Sequence, residues 1–202
     1  MGAPIFSPSS IAKIFQVKGR PQDNPLIAHI SSLDQVHLIA TEIPSDFYLL
    51  ADHFFPGPLT IILSKRGEVP SIATAGLPTL GVRMPEHSCA RDLIRAMGVP
   101  LVAPSANLSG LPSSTSAQHV LQDFEGKIAA IIDGGPCLLG LESTVLMLTP
   151  KPTLLRLGAV SQEAIEEVLK KKVEIAPSHA NQPLSPGMKY RHYAVLREPL
   201  IV

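Results

Sequence analysis

Residues 99–110 read Val-Pro-Leu-Val-Ala-Pro-Ser-Ala-Asn-Leu-Ser-Gly, an apolar run followed directly by a loop of small polar residues. The apolar run predicts a buried β-strand, and α/β folds bind ligands in loops that follow such strands. Small side chains let backbone N–H groups approach a phosphate closely, and Ser105 and Asn107 would add hydrogen-bond donors. An ordinary polar turn has the same composition, so this stretch alone leaves both interpretations open.

Similar apolar runs alternate with helical patterns along the rest of the chain. We predict strands at residues 59–63, 81–84, 99–103, 128–132, 144–148 and 154–157. Amphipathic spacing predicts a first helix that begins at Ser7 and Pro8, and others near residues 46–54, 90–97, 117–124 and 162–171. The short Pro150-Lys151-Pro152 link favours an antiparallel pair for the last two strands. This order predicts an α/β domain with a mixed sheet over residues 1–175 and a linker-like tail over residues 176–202.

The composition restricts the class of protein. No run of about 18 apolar residues and no signal-peptide pattern occurs, so we expect no membrane association and a cytoplasmic location. Lys plus Arg and Asp plus Glu both number 17. Because proteins that grip a phosphate backbone are normally basic, we expect any RNA contact to be local and weak. The histidines and cysteines form no H-E-x-x-H motif and no Cys/His cluster, so no protein-held metal is predicted.

Two cations, Lys18 and Arg20, flank a glycine just past the first predicted helix. In an extended segment they would reach one anion from adjacent sides, with Arg supplying a planar fork of donors and Lys a mobile charge. The alternative is a solvated basic pair that interacts favourably with the helix dipole. His29 lies further along the same segment, where it is either a pocket residue or a polar strand position.

Hydroxyl and guanidinium groups occur near the later strands. Glu142-Ser143-Thr144-Val145 follows a glycine-rich approach and opens a strand, so its hydroxyls either line a pocket or mark a hairpin entry. Arg83 and Arg156 each lie among apolar residues in a predicted strand. Each side chain faces either a phosphate or an ordinary polar side of the sheet.

In this order, these segments resemble the YrdC/Sua5 family of threonylcarbamoyl-AMP synthases. The segments that carry the resemblance are Lys18-Gly19-Arg20-Pro21 with Asn24-Pro25-Leu26, the loop at residues 104–110, Glu142-Ser143-Thr144-Val145, and residues 185–193. The resemblance implies a twisted mixed α/β sheet with flanking helices around a basic cavity. It also implies an adenylyl transfer that converts L-threonine, bicarbonate and ATP, the last with Mg²⁺, into threonylcarbamoyl-AMP and pyrophosphate. A tRNA-modifying transferase complex would accept this product.

The resemblance also assigns roles to individual residues. The expected catalytic residues, which hold the carboxylate, the carbamate and the phosphates, are Lys18 and Arg20. The candidates for the substrate pocket are His29, Thr60 and Ser143. The candidates for the nucleotide site are Arg83, Ser105, Asn107 and Arg156. The residues expected to form a lid that excludes water are Tyr190, His192 and Tyr193.

Both ends of the chain depart from the family pattern. Family members begin with a strand that carries Pro-Thr-x-Thr-x-Tyr-Gly-Leu, and Met1 falls roughly where this motif should end. We therefore expect this strand to be missing, and the chain to be less stable and less active than an extended form. The tail has the Sua5-type linker but ends at Val202, so the additional C-terminal Sua5 domain is expected to be absent.

Two other functions compete with the synthase. A YrdC-like module would bind double-stranded RNA or the ribosome through the same basic cavity without turnover; a missing threonine pocket favours it, whereas zero net charge and few aromatic residues oppose it. Related domains inside hydrogenase-maturation proteins take part in carbamoyl transfer. Those domains lie beside zinc-finger and acylphosphatase-like regions, which this sequence does not show.

Overall fold

A computed structural model describes residues 1–177, in which the strands form a single mixed sheet with helices packed against it. The strands of this part are β1 (Ala3–Pro4), β2 (Ile27–His29), β3 (Ala40–Thr41), β4 (Leu59–Lys65), β5 (Thr79–Arg83), β6 (Leu101–Val102), β7 (Thr144–Met147), β8 (Thr153–Arg156) and β9 (Glu174–Ile175). The helices are α1 (Pro8–Lys18), α2 (Val36–Ile39), α3 (Ser45–Phe54), α4 (Ser71–Thr74), α5 (Ser88–Met97), α6 (Ala117–Phe124) and α7 (Gln162–Leu169), and a 3-10 turn (Leu33–Gln35) precedes α2. The predicted α/β class with a mixed sheet is confirmed.

The sheet has the strand order β1-β6-β2-β5-β4-β7-β8-β9, and β3 pairs with β4 beside this path. β2 is parallel to β5 and β4 is parallel to β7, whereas β4 and β5 are antiparallel. β7 and β8 are antiparallel, which confirms the prediction from the short link at residues 150–152. In this register His29 lies beside Arg83, Thr60 lies beside Val145, and Val145 lies beside Arg156. The sheet therefore brings polar residues from distant parts of the chain to the same end of its strands.

The core consists of apolar side chains packed between the sheet and the helices. The first five residues of β4 are buried, as expected for a central strand covered on both faces. Helix α1 begins at the predicted Ser7 cap, which accepts a hydrogen bond from the backbone N–H of Ser10, and it buries an apolar stripe. Lys18 is the last residue on that stripe and is buried with it. The apolar stripe of α1 therefore ends in a buried cation at the C-terminus of the helix.

Two of the strand predictions need correction. Residues 128–132 form no strand, and Ile132 is 60% exposed. The physical reason is that β6, the preceding strand, is paired with β1 on one edge and β2 on the other, so this segment does not add to it. The strand predicted at residues 99–103 is shorter than expected and covers Leu101–Val102.

Two predictions concern membranes and the tail. Within residues 1–177, the helices are all too short or too polar to cross a bilayer. The predicted tail lies outside the described residues from residue 178 onward, and so do the lid candidates Tyr190, His192 and Tyr193.

Candidate functional site

The ammonium group of Lys18 is buried against the loop that follows β6. Its Nζ donates to the main-chain oxygen of Ser105 at 2.5 Å and to that of Asn107, and it lies 6.0 Å from the centre of the Phe124 ring. Burial first, and then the nearby charge of Arg20, lowers the pKa of Lys18 to about 8, while Asp123 opposes this shift. A buried cation of this kind is suited to a bound anion, which would offset the cost of its burial.

Arg20 is fixed against the turn that follows α1. Gly19 ends the helix in the left-handed conformation, with φ 60°, and turns the chain so that Arg20 lies near Lys18. The Arg20 guanidinium donates from Nε to the oxygen of Asn24 at 3.3 Å and from Nη2 to that of Pro25 at 2.9 Å. The structure therefore brings Arg20 close enough to Lys18 for its charge to lower the pKa of the Lys18 ammonium group.

Asn107 holds the loop after β6 in place. It is 5% exposed, and its Nδ2 donates to the oxygens of Leu108 at 2.8 Å and Leu111 at 2.9 Å. Both amide hydrogens are thus used on main-chain oxygens in this structure, and the expectation that Asn107 binds the nucleotide stays a prediction. Its Oδ1 is buried without a hydrogen-bond partner among the described residues. Ser105 is exposed beside it.

A second cluster lies where β4 and β7 begin and β8 ends. The hydroxyl groups of Thr60 and Ser143 are 2.8 Å apart, and both residues are buried. Nη2 of Arg156 donates to Oγ of Ser143 at 3.0 Å and to its main-chain oxygen at 2.8 Å. Nη1 of Arg156 forms an ion pair with Glu142. The two predicted hydroxyls and the strand arginine thus belong to one network.

Arg83 and His29 lie side by side in β5 and β2. Nε of Arg83 donates to the oxygen of Gly57 at 2.9 Å, and burial, followed by the charge of Arg156, lowers the pKa of Arg83. Nδ1 of His29 lies 3.1 Å from the oxygen of Ile27. Burial, followed by the charge of Arg83, lowers the pKa of His29 to about 4, so its imidazole is neutral at pH 7. Two mutually repelling guanidiniums beside a neutral imidazole favour an anionic ligand.

Within residues 1–177, the predicted site residues fall into two clusters. In the first, Lys18 contacts the loop of Ser105 and Asn107, and the charge of Arg20 lowers the pKa of Lys18. The second is centred on Arg156 with Thr60 and Ser143, and Arg83 and His29 belong to it through their charges and strand pairing.

Sequence reasoning assigned no role to three residues that the structure adds to the site. Asp123 on α6 accepts the backbone N–H of Leu108 at 2.8 Å, and Glu142 pairs with Arg156. Asn24 is 4% exposed, and its Oδ1 has no hydrogen-bond partner within residues 1–177. Glu142 could have been suspected because it precedes Ser143 directly. The sequence around Asp123 gives no indication of this contact, because its partner Leu108 lies on a separate loop.

A cavity of about 480 Å³ lies elsewhere on the surface, between the first turns of α6 and residues 131–136. Its lining includes Ser116, Leu121, Ile131 and Asp133. None of the predicted site residues lines it. The candidate site is therefore the pair of cationic clusters and not this cavity.

The fold and the two clusters define an α/β protein with a site for an anionic ligand, and comparison with known families makes this more specific. A family model for Sua5, YciO and YrdC proteins, described as "Telomere recombination", matches residues 1–158. The chain belongs to this family. A second model, described as the C-terminal domain of threonylcarbamoyl-AMP synthase, matches residues 160–202. The prediction that this C-terminal Sua5 domain is absent is therefore wrong.

Curated relatives support the same family. The threonylcarbamoyl-AMP synthase of Pyrococcus abyssi is 48% identical over 207 residues, which cover 100% of this chain and 61% of the relative. The threonylcarbamoyl-AMP synthase of Bacillus subtilis is 46% identical over 204 residues, which cover 96% of this chain and 57% of the relative. The chain thus spans between 57% and 61% of the length of these relatives.

Solved structures agree with the fold. The crystal structure of P. abyssi Sua5 complexed with L-threonine has a TM-score of 0.93 and 49% identity, and covers 96% of this chain and 58% of that chain. The E. coli YciO structure has a TM-score of 0.71 at 23% identity, and covers 81% of this chain and 80% of that chain. At that identity the YciO match supports the fold alone.

Proposed function

We propose that this chain carries the active site of an L-threonylcarbamoyladenylate synthase. This enzyme makes threonylcarbamoyl-AMP and pyrophosphate from L-threonine, bicarbonate and ATP by adenylyl transfer. The observation that carries the proposal is the TM-score of 0.93, at 49% identity, to a P. abyssi protein solved with L-threonine. A tRNA-modifying transferase complex would take up the product, and the cytoplasm remains the predicted location.

The chemistry calls for charge neutralisation and positioning more than for a nucleophilic side chain. Bicarbonate takes up a proton and loses water to give CO₂. The threonine amino group adds to CO₂ and releases a proton, which forms a carbamate, and a carbamate oxygen attacks the α-phosphorus of ATP. The bond between the α-phosphorus and the oxygen that bridges to the β-phosphate breaks, and pyrophosphate leaves. Both reactants are negatively charged, so fixed cations lower the barrier by offsetting their repulsion.

The two clusters supply groups of the required kind. We assign the carboxylate, the carbamate and the phosphates to the cations of the first cluster, Lys18 and Arg20. We assign threonine to the hydroxyls of Thr60 and Ser143 and to the neutral imidazole of His29. The nucleotide would be held by Arg83, Ser105, Asn107 and Arg156. The buried pair Thr60–Ser143, with oxygens 2.8 Å apart, is rigid enough to orient a small substrate.

Magnesium would enter with ATP and be held mainly by phosphate oxygens and water. Residues 1–177 contain no group of three or more His, Cys, Asp or Glu side chains that could bind a metal ion. The carboxylate of Glu142 is paired with Arg156. This donor set fits a cation carried by the nucleotide, which would screen the charge of the leaving pyrophosphate. The predicted lid residues Tyr190, His192 and Tyr193 would close the site over both substrates.

Pyrophosphate release by the full chain tests the proposal. With ATP and Mg²⁺ present, we expect release to require both L-threonine and bicarbonate. Ser143→Ala should lower the turnover rate on the order of 100-fold, because it removes a donor and acceptor at the reacting groups. Ser9→Ala, on the exposed face of α1, is the matched control and should behave as wild type. Pyrophosphate release that does not depend on threonine would contradict the proposed synthase activity. The absence of release, although both substrates bind, would contradict it as well.

A further inference from the structure

The side-chain amide of Asn107 has a determined orientation. Its Nδ2 donates to the oxygens of Leu108 and Leu111 at 2.8 and 2.9 Å. Exchanging Nδ2 with Oδ1 would set an oxygen against two carbonyl oxygens, which accept and do not donate. The loop therefore fixes which atom of the amide faces away from it, and that atom is Oδ1.

This oxygen is buried and has no hydrogen-bond partner among residues 1–177, although Asn107 is only 5% exposed. The hydrogen bonds of neighbouring groups go elsewhere: Lys18 Nζ donates to the main-chain oxygens of Ser105 and Asn107, and the N–H of Leu108 donates to Asp123. A buried acceptor without a donor bears the full cost of leaving water. The site thus holds an acceptor that calls for a donor from outside the loop.

We propose that Oδ1 of Asn107 accepts a hydrogen bond from an N–H group of a bound substrate, so that Asn107 recognises an amino group and not a phosphate. Ionised phosphate and carboxylate oxygens carry no hydrogen to donate. The inference rests on the proposed function, which brings two substrates with such a group. One is the 6-amino group of adenine in ATP, and the other is the α-amino group of L-threonine.

This contact would give Asn107 a different task from the cations around it. Lys18 is a mobile point charge that attracts anions of many shapes. A buried oxygen that must be paired rejects an analogue that lacks the N–H, since the oxygen is then left without a partner. Asn107 is therefore a specificity-determining residue for the proposed reaction.

Calorimetric titration of the full chain with two pairs of ligands tests this inference. The first pair is ATP and purine riboside triphosphate, which lacks only the 6-amino group. The second pair is L-threonine and 3-hydroxybutyrate of the same configuration at C3, which lacks the α-amino group. Wild type should prefer the amino-bearing member of one pair by about tenfold or more. Asn107→Ala should lose this preference, and the pair that responds identifies the source of the N–H.

The ratio within a pair separates recognition from loop damage. Asn107→Ala also removes both Nδ2 bonds, and the resulting loosening of the loop weakens both members of a pair alike, so it leaves the ratio unchanged. Gln122→Ala, at an exposed position of α6, is the control and should keep the wild-type ratios. If Asn107→Ala does not fold, the absence of a wild-type preference in either pair still overturns the inference.

The remaining outcomes keep the two proposals distinct. Preferences that are the same in wild type and Asn107→Ala would overturn the role of Asn107 and leave the synthase standing. If wild type binds neither ATP nor L-threonine, the proposed function fails and this inference fails with it.

Discussion

Lys18 illustrates how position converts an ordinary cation into a candidate catalytic group. Its side chain ends the buried stripe of α1 and is 2% exposed. Its pKa of about 8 lies below the ordinary value of 10.5, chiefly because burial disfavours the charged form. Below about pH 8 both the folded and the unfolded chain carry this proton, so the burial cost is fully present. Between these two pKa values only the unfolded chain keeps the proton, so this group's contribution to stability rises with pH.

The same pKa predicts how nucleotide binding depends on pH. An anion binds best when Lys18 is protonated, so ATP affinity should fall as the pH rises through about 8. We expect roughly a fivefold loss over the first pH unit above that value, because the protonated fraction of one group falls from about one half to about one eleventh. Binding is measured by calorimetry from about pH 7 to about pH 9.5, a range in which carboxylates hold a constant charge.

Lys18→Arg and Lys18→Met are the controls for this profile. Arginine stays protonated throughout, so Lys18→Arg should show an affinity that changes little with pH. Lys18→Met should bind ATP weakly at every pH, because the charge is gone. A wild-type affinity that is flat across the range would show that Lys18 does not interact with the nucleotide.

At the scale of elements, the close approach of β5 to β4 connects packing to the site. A Cβ built on Gly81 would lie 2.9 Å from Cγ2 of Thr60 and 3.4 Å from Cδ1 of Ile62. The hydroxyl of the same Thr60 lies 2.8 Å from Ser143. The missing side chain at Gly81 therefore leaves the space that the methyl group of Thr60 fills, and this packing holds its hydroxyl in the network.

Gly81→Ala should therefore destabilise the fold and be rescued by a change on the neighbouring strand. We expect its free energy of unfolding to drop by about 1–3 kcal/mol, because the added methyl overpacks the strand pair. Thr60→Ser keeps the hydroxyl and removes the methyl that the new Cβ meets, so the double variant should regain part of the loss. Urea unfolding of both single variants and the double variant measures this coupling. Strictly additive effects would show that the two side chains do not compete for the same space.

Most elements were predictable from local patterns, and the exceptions have a common cause. The predicted helices are present, and Ser161 caps α7, where its side chain accepts the backbone N–H of Ala164. Long strands such as β4 were found because several consecutive apolar residues mark a buried strand. The strands β1, β2 and β3 have two or three residues each, too few to produce a recognisable period. Residues 128–132 have the composition of a strand, but β6, the strand that precedes them in the chain, is already paired on both sides.

At the scale of the whole molecule, a formal charge of zero limits what the cationic clusters can bind. A molecule without net positive charge gains little from releasing counterions along a nucleic acid, so its contact with RNA should be weak and confined to the site. We expect double-stranded RNA to bind the full chain weakly at about 150 mM salt, and ATP together with L-threonine to displace it. Fluorescence anisotropy with labelled RNA measures both effects. Tight RNA binding that ATP and threonine leave unchanged would favour a binding module over the synthase.

The sequence alone predicted the α/β class and the candidate groups of the site. These groups are the cationic segment at Lys18 and Arg20, the loop at Ser105 and Asn107, and the hydroxyl of Ser143. Local patterns report them because strands, helices and turns depend on residues close together in the chain. Only the tertiary structure decided which of these groups contact each other and which polar atoms have no hydrogen-bond partner. Thr60 meets Ser143 across 83 residues, and Lys18 meets the loop at Asn107 across 89 residues. The same packing uses the amide hydrogens of Asn107 and leaves only its oxygen unpaired. These contacts follow from strand register and burial, which join distant segments and leave no trace in the sequence between them.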